Sequence, residues 1–191
     1  MIVALAGSTL LGGCSGGKDE PSAWPTLSNT VTSDPTTPTA SPSTPPLPPV
    51  KPEAAYPSTP EGAQEFVRWY LKAYEYAYAS GDPTPIMGVA TRGCVQCQSI
   101  VDRVSKRRAA SQRLLGQRIT VTGAAVAPGA SAKHTVVLAT FDSTGSTLVD
   151  AAGKTLDTFS PVKNEQLLIG LTWDIVAGWR VVDGRFDGGT K

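Results

Sequence analysis

The chain has 191 residues, room for one domain and its appendages. Its formal charge of +1 excludes a polybasic nucleic-acid binder, because no strong positive field would gather phosphates. Charged residues make up only 17%, and the shortfall is local: residues 21–60 hold twelve Pro, eight Thr and six Ser but only Asp34, Lys51 and Glu53 as charges. The rest, residues 61–191, carries fifteen basic and twelve acidic residues, an ordinary domain large enough to bury a core.

At the start, an apolar run from Ile2 to Leu11 leads through Gly12 and Gly13 to Cys14. The run is too short to span a bilayer, which takes about 20 apolar residues, but it suits the apolar stretch of a secretory signal. Leu11-Gly12-Gly13-Cys14 resembles a bacterial lipobox, in which small residues admit the peptidase and the thiol takes a diacylglyceryl group. The resemblance implies a leader over residues 1–13, cleavage before Cys14, and a lipid anchor on that cysteine at the outer face of the cell membrane. No Lys or Arg precedes the run, so this reading expects a start codon further upstream. One acyl chain binds a bilayer only marginally; the several chains of a mature lipoprotein, palmitate among them, would hold it.

Residues 14–60 are expected to be the anchor cysteine followed by a disordered Pro/Thr/Ser-rich tether. Their few apolar groups cannot offset the entropy of ordering the segment. As polyproline II, at about 3.1 Å per residue, it would reach on the order of 140 Å. Residues 44–52, "TPPLPPVKP", also resemble a polyproline ligand. The usual readers of such motifs are absent outside the cell, so a spacer is the expectation.

The texture changes at Pro60. Ser58 or Thr59 can cap a helix that has Pro60 in its first turn and Gly81 as its stop. Phe66, Val67, Tyr70, Leu71, Tyr74, Ala77 and Tyr78 share one face at 100° per residue, while Glu65, Arg68, Lys72 and Glu75 fall opposite. A short turn or helix follows, kept separate by Pro83 and Pro85. The spacing then predicts a second long helix over about residues 98–115, with Ile100, Val101, Val104 and Leu115 on one side.

After Gly116 the period drops to two. Strands are expected at "QRITVTGAAVA" and "HTVVLATFD", on both sides of the Ala152-Gly153 turn, and in a long strand that meets the last one at Ala177-Gly178. Leu167, Ile169, Leu171, Trp173 and Ile175 alternate along the long strand. Two or three helices followed by five or six antiparallel strands make an α+β domain with helices on one sheet face. That order resembles the nuclear transport factor 2-like cone, the fold of polyketide cyclases and ketosteroid isomerases, in which a long first helix crosses a curved antiparallel sheet. The lipobox, the Pro/Thr tether, "FVRWYLKAYEYAYASGD" and "CVQC" beside a helix together resemble a family of actinobacterial lipoproteins of unknown function. The resemblance implies fold and location and brings no activity with it.

Trp69, Tyr70 and Tyr74 on the first helix, with Trp173 and Trp179 on the last hairpin, are candidates to line a pocket for an apolar ligand. Core filling accounts for the same aromatics. Arg103, Lys106, Arg107 and Arg113 make a basic face on the second helix that could meet lipid headgroups, a wall polymer or an acidic envelope partner. Its plain reading is a solvated helix face. An isomerase or dehydratase would need a positioned base and an oxyanion donor. Asp142, Asp174 and His134 are not singled out by any spacing, and no phosphate loop, metal-binding helix or nucleophile elbow occurs. No cofactor or metal is expected.

Cys94 and Cys97 stand at the start of the second helix. If Cys14 carries lipid, the three cysteines become one anchor and one pair in an oxidising compartment, where disulfides persist. A single pair is two ligands short of a zinc site. A helix start favours a thiolate, which keeps a thiol oxidoreductase in play, but a turn rather than a strand precedes the motif. The expectation is a disulfide staple in a membrane-anchored extracytoplasmic domain that binds a ligand or envelope partner without catalysis. An isomerase-type enzyme is the alternative.

Overall fold

The computed structural model describes residues 46–131 and 133–186; the expected leader, Cys14 and the expected spacer as far as residue 45 lie outside the described residues. Helix α1 (Pro60–Ser80) begins at Thr59, whose Oγ1 accepts the Gly62 N–H at 3.1 Å. That bond satisfies one of the donors a helix start leaves orphaned, at about 1 kcal/mol. Gly81 ends the helix in the left-handed region, φ 75°. Helices α2 (Thr84–Val89) and α3 (Val95–Ala109) follow.

Two antiparallel sheets complete the α+β domain. The larger has the order β2 (Ile119–Val126), β3 (Thr135–Ser143), β6 (Val162–Asp174), β7 (Gly178–Phe186). The smaller has the order β1 (Arg113–Leu115), β4 (Ser146–Val149), β5 (Thr155–Phe159). Alternation sends Val137, Ala139 and Phe141 from β3, and Leu167, Ile169 and Leu171 from β6, into the core. Helix α1 lies on β2 and β3, and α3 lies on β7. Register shifts at Val121/Gly123, Phe141/Ser143 and Gly170/Leu171 mark bulges, which bend strands. Glu75, read from its helical position as solvent-facing, accepts the Ile119 N–H at 2.8 Å and so joins α1 to the start of β2.

Three expectations are corrected. The second long helix does not run to Leu115. It ends at Ala109, Ser111 turns left-handed at φ 55°, and residues 113–115 pair with β4 as a seventh strand. The switch to a period of two buries Leu114 and leaves Leu115 exposed. Ile175 does not continue the alternation of β6 but stands exposed in the turn, where Asp174 Oδ1 accepts the Val176 and Ala177 N–H groups at 2.8 Å each.

The third correction concerns the tether, expected to run free as far as residue 60. Residues 49–57 instead lie on the domain, gripped by three indoles from three elements. Trp69 Nε1 donates to Pro49 O (3.1 Å), Trp173 Nε1 to Tyr56 O (3.0 Å) and Trp179 Nε1 to Pro57 O (2.9 Å). Ala55 is fully buried, and Lys51 Nζ sits 4.3 Å above the Tyr56 ring. This strap is why α1 has no broad solvent face: of its residues only Pro60, Glu61 and Lys72 stand exposed.

Gly62 is where the strap comes closest. A Cβ there would collide with the Pro57 carbonyl, the same oxygen that Trp179 holds. Gly62→Ala is therefore expected to destabilise by about 1–2 kcal/mol, because an overpacking cost of about 1–3 kcal/mol outweighs the gain of up to about 1 kcal/mol in helix propensity. Gly88→Ala in α2 meets nothing within 4 Å and keeps only the gain. Urea unfolding of the two variants beside the parent, followed by tryptophan fluorescence, checks the opposite signs; a stabilised Gly62→Ala chain would refute the contact.

Candidate functional site

The five candidate pocket aromatics separate. Trp69, Tyr70 and Trp179 are buried in the core, and Trp173 is half-buried with its indole N–H committed to the strap. Only Tyr74 faces a cleft, of about 230 Å³, where the C-terminal half of α1 meets α3 and the ends of both sheets. Tyr78 joins it one helical turn on, their rings 4.7 Å apart. Across from them stand Arg103 and Arg107 of α3, and Phe159 of β5 closes one side. Arg107 lies 5.2 Å from the centre of the Tyr78 ring and 5.9 Å from that of Phe159, within range of cation–π attraction.

The polar balance of this cleft is unusual. Tyr78 is 6% exposed, and its hydroxyl makes no well-formed hydrogen bond, although the Tyr74 hydroxyl is close enough to interact with it. Gln117 Oε1, of another residue lining the cleft, has no partner. Only one other buried side-chain atom among the described residues shares that state, Arg180 Nε, and it lies elsewhere. Each orphan costs about 1–3 kcal/mol, and native structures carry few. No carboxylate lies within 4.0 Å of Arg103 or Arg107; the ion pairs among the described residues are Glu65–Arg68, Glu75–Arg118 and Asp142–Lys163. Burial pushes the Tyr74 hydroxyl well above its ordinary pKa, with Tyr78 adding to the shift and Arg103 opposing it, so the phenol stays a donor.

The expected basic face is therefore split. Arg103 and Arg107 share the cleft and Lys106 is exposed beside them on α3, but Arg113 is on β1. With Arg108 it borders a separate hollow of about 350 Å³. The break at residues 110–112 is the physical reason: a helical face cannot include a residue beyond the helix end.

Neither aspartate weighed as a base is free. Lys163 and the Asn164 N–H hold Asp142 below the ordinary carboxylate range, and the Ala177 and Val176 N–H groups do the same for Asp174. His134 is exposed in the turn with Ser131. Among the described residues no trio of His, Cys, Asp or Glu is placed to hold a metal ion. Glu165 of β6 is a carboxylate the sequence did not bring forward. Burial raises its pKa, and its charge is felt by Tyr74, but it does not line the cleft.

Cys94 and Cys97 form a disulfide with Cα atoms 5.2 Å apart. Cys94 is the residue before α3, and its Sγ accepts the Cys97 N–H at 3.2 Å. The two residues are 2% and 1% exposed, so a reductant would have to wait for the helix start to open. The Tyr70 hydroxyl is the nearest polar side-chain group bonded to the pair, 3.9 Å from Cys97 Sγ.

Residues 33–182 match a family described as "Family of unknown function (DUF6318)". Among solved structures, the chain is similar to the intermembrane space region of the chloroplast protein ARC6, with a TM-score of 0.49 and 15% identity, covering 67% of this chain and 95% of that one. It is also similar to a nuclear transport factor 2-like superfamily protein from Salmonella enterica serovar Typhimurium LT2, with a TM-score of 0.46 and 14% identity, over 70% of this chain and 95% of that one. No curated protein matches the chain.

Two measurements probe these placements. Glu165 has a folded pKa above its unfolded value of about 4.3, so its favourable contribution is present below that pH and is lost as pH rises through the folded value. Glu165→Gln should thus melt above the parent at pH 7, with the gap closing below about pH 4; an equal or lower melting point at pH 7 would count against the burial. Reduction of the four-residue disulfide loop should cost about 2 kcal/mol, by the loss of chain-entropy restraint. Alkylation with mass readout should find the pair inert to mild reductant in buffer and reactive in urea. Rapid reaction in buffer would restore the redox reading.

Proposed function

The chain belongs to the DUF6318 family of unknown function, and we propose that it is an extracytoplasmic lipoprotein whose domain binds a ligand in the α1–α3 cleft without catalysis. In this reading Cys14 carries the lipid, residues 15–45 are the spacer, and the folded chain begins at the strap rather than at α1. The observation that supports the binding role is that two residues with buried, poorly partnered polar atoms, Tyr78 (Oη) and Gln117 (Oε1), line the same small cleft. Such groups are few in native structures and call for an explanation, which a ligand in the adjoining cleft supplies. The non-catalytic part rests on the commitments of Asp142 and Asp174 to their own turns and on the position of Glu165 outside the cleft lining. An isomerase- or dehydratase-type enzyme is the second reading, and its support is the raised carboxyl of Glu165 next to Tyr74. It predicts a turnover that disappears in Glu165→Gln.

The two halves of the proposal are tested separately. Cys14→Ala should move the chain from the membrane fraction to the soluble one and remove the mass of the acyl chains; persistence on the membrane would sink the anchor. Chain purified from its host and extracted into organic solvent should release a small molecule in near-stoichiometric amount. Ser160→Trp, at an exposed position on the cleft rim, should come without it, and an empty extract from the parent would argue against a retained ligand.

A further inference from the structure

The chemistry of the cleft also says what kind of molecule it takes, an inference that rests on the ligand-binding reading above. We infer that the ligand is a small amphiphilic anion: a carboxylate or phosphate group on a compact apolar body. Four observations converge. Two guanidiniums, Arg103 and Arg107, reach the cleft from one helix, and among the described residues no carboxylate lies within 4.0 Å of them and no acidic residue lines the cleft. Planar guanidinium donors match carboxylate and phosphate oxygens, and an anion placed between them is paired without displacing any protein group.

Tyr78, whose buried Oη makes no well-formed hydrogen bond, lines the same cleft and offers one more donor to a head group that reaches it. The Gln117 side-chain amide, whose Oε1 is without a partner, adds a polar point on the cleft lining that an O–H or N–H of a ligand would satisfy. The Tyr74, Tyr78 and Phe159 rings leave an apolar floor between these polar points, and about 230 Å³ holds one ring or a short chain, not a long lipid tail. Lipid headgroup and free metabolite share this head-group chemistry, but the volume favours the free compound.

The test uses the full-length Cys14→Ser chain, which avoids detergent, with benzoate, phenyl phosphate and the neutral benzamide as probes. NMR titration reads binding at the ring signals of Tyr74 and Tyr78. At least one anion should bind about tenfold more tightly than benzamide, the worth of one charge-assisted contact. Arg103→Gln with Arg107→Gln should abolish that preference while circular dichroism shows an unchanged fold, and Tyr78→Phe should weaken the anion alone. A lead for phenyl phosphate assigns a phosphate ligand, and a lead for benzoate a carboxylate. Benzamide binding as tightly as the anions would overturn the anionic class and leave the binding cleft standing. Failure of all three probes to move the tyrosine signals at millimolar concentration would overturn both.

Discussion

A helix rich in tyrosine and tryptophan can be buried on nearly every side only if the polar tips of those rings find partners, and this constraint organises the domain. In α1 the Trp69 indole reaches a carbonyl of the strap, the Tyr76 hydroxyl reaches Asp82 at 3.0 Å, and the Tyr70 hydroxyl reaches a disulfide sulfur. Each solution recruits another piece of chain: the strap, the turn after α1, the start of α3. Aromatics supply large buried areas, but their polar atoms dictate what may lie next to them. Tyr78 is the exception in this series, and its poorly satisfied hydroxyl belongs to a residue that lines a gap between α1, α3 and the small sheet. The candidate site is thus where the scheme that satisfies the rest of the helix stops.

Much of the fold was legible because it rests on local signals. The Thr59 cap, the Gly81 stop, the alternation of β3 and β6, and the hairpin at Gly178 all follow from patterns within a few residues. What was not legible had long-range causes. Strand β1 is three residues long, too short for a period, and exists because β4, over thirty positions later, pairs with it. Ser111 turns left-handed without the glycine that would have announced a helix end. The strap was concealed by its own composition. A Pro-rich segment cannot form a core, yet its carbonyls lack ladder partners and its backbone is already extended, so it suits distant donors well. Those donors lie 20, 117 and 122 positions away.

The site was half visible for the same reason. Helical spacing put Arg103 and Arg107 on one face and Tyr74 on the side of α1 that packs, and both placements brought these residues to the cleft. Tyr78 was counted only for its apolar ring, because nothing in a helical wheel says which phenol will lack a partner. Gln117 and Phe159 enter through the ends of the small sheet, whose strand order no local pattern reveals. Glu165 was missed because an acidic residue between Asn164 and Gln166 reads as solvent-facing, while the burial that raises its pKa is set by the tertiary fold.

The strap also decides how a load would travel. Were the chain held at Cys14 by lipid, as proposed, any pull would arrive along the proline-rich segment and reach the three bonded carbonyls in the order Pro49, Tyr56, Pro57. Three hydrogen bonds rooted in α1, β6 and β7 would resist it before the first turn of α1 felt tension. Because the load meets these bonds in sequence, the first to yield spares the next, and the tryptophans would act as strain relief, like the collar on a cable where it enters its housing. The domain could then drift and tug at the end of its tether while the cleft, on the far half of α1, keeps its shape.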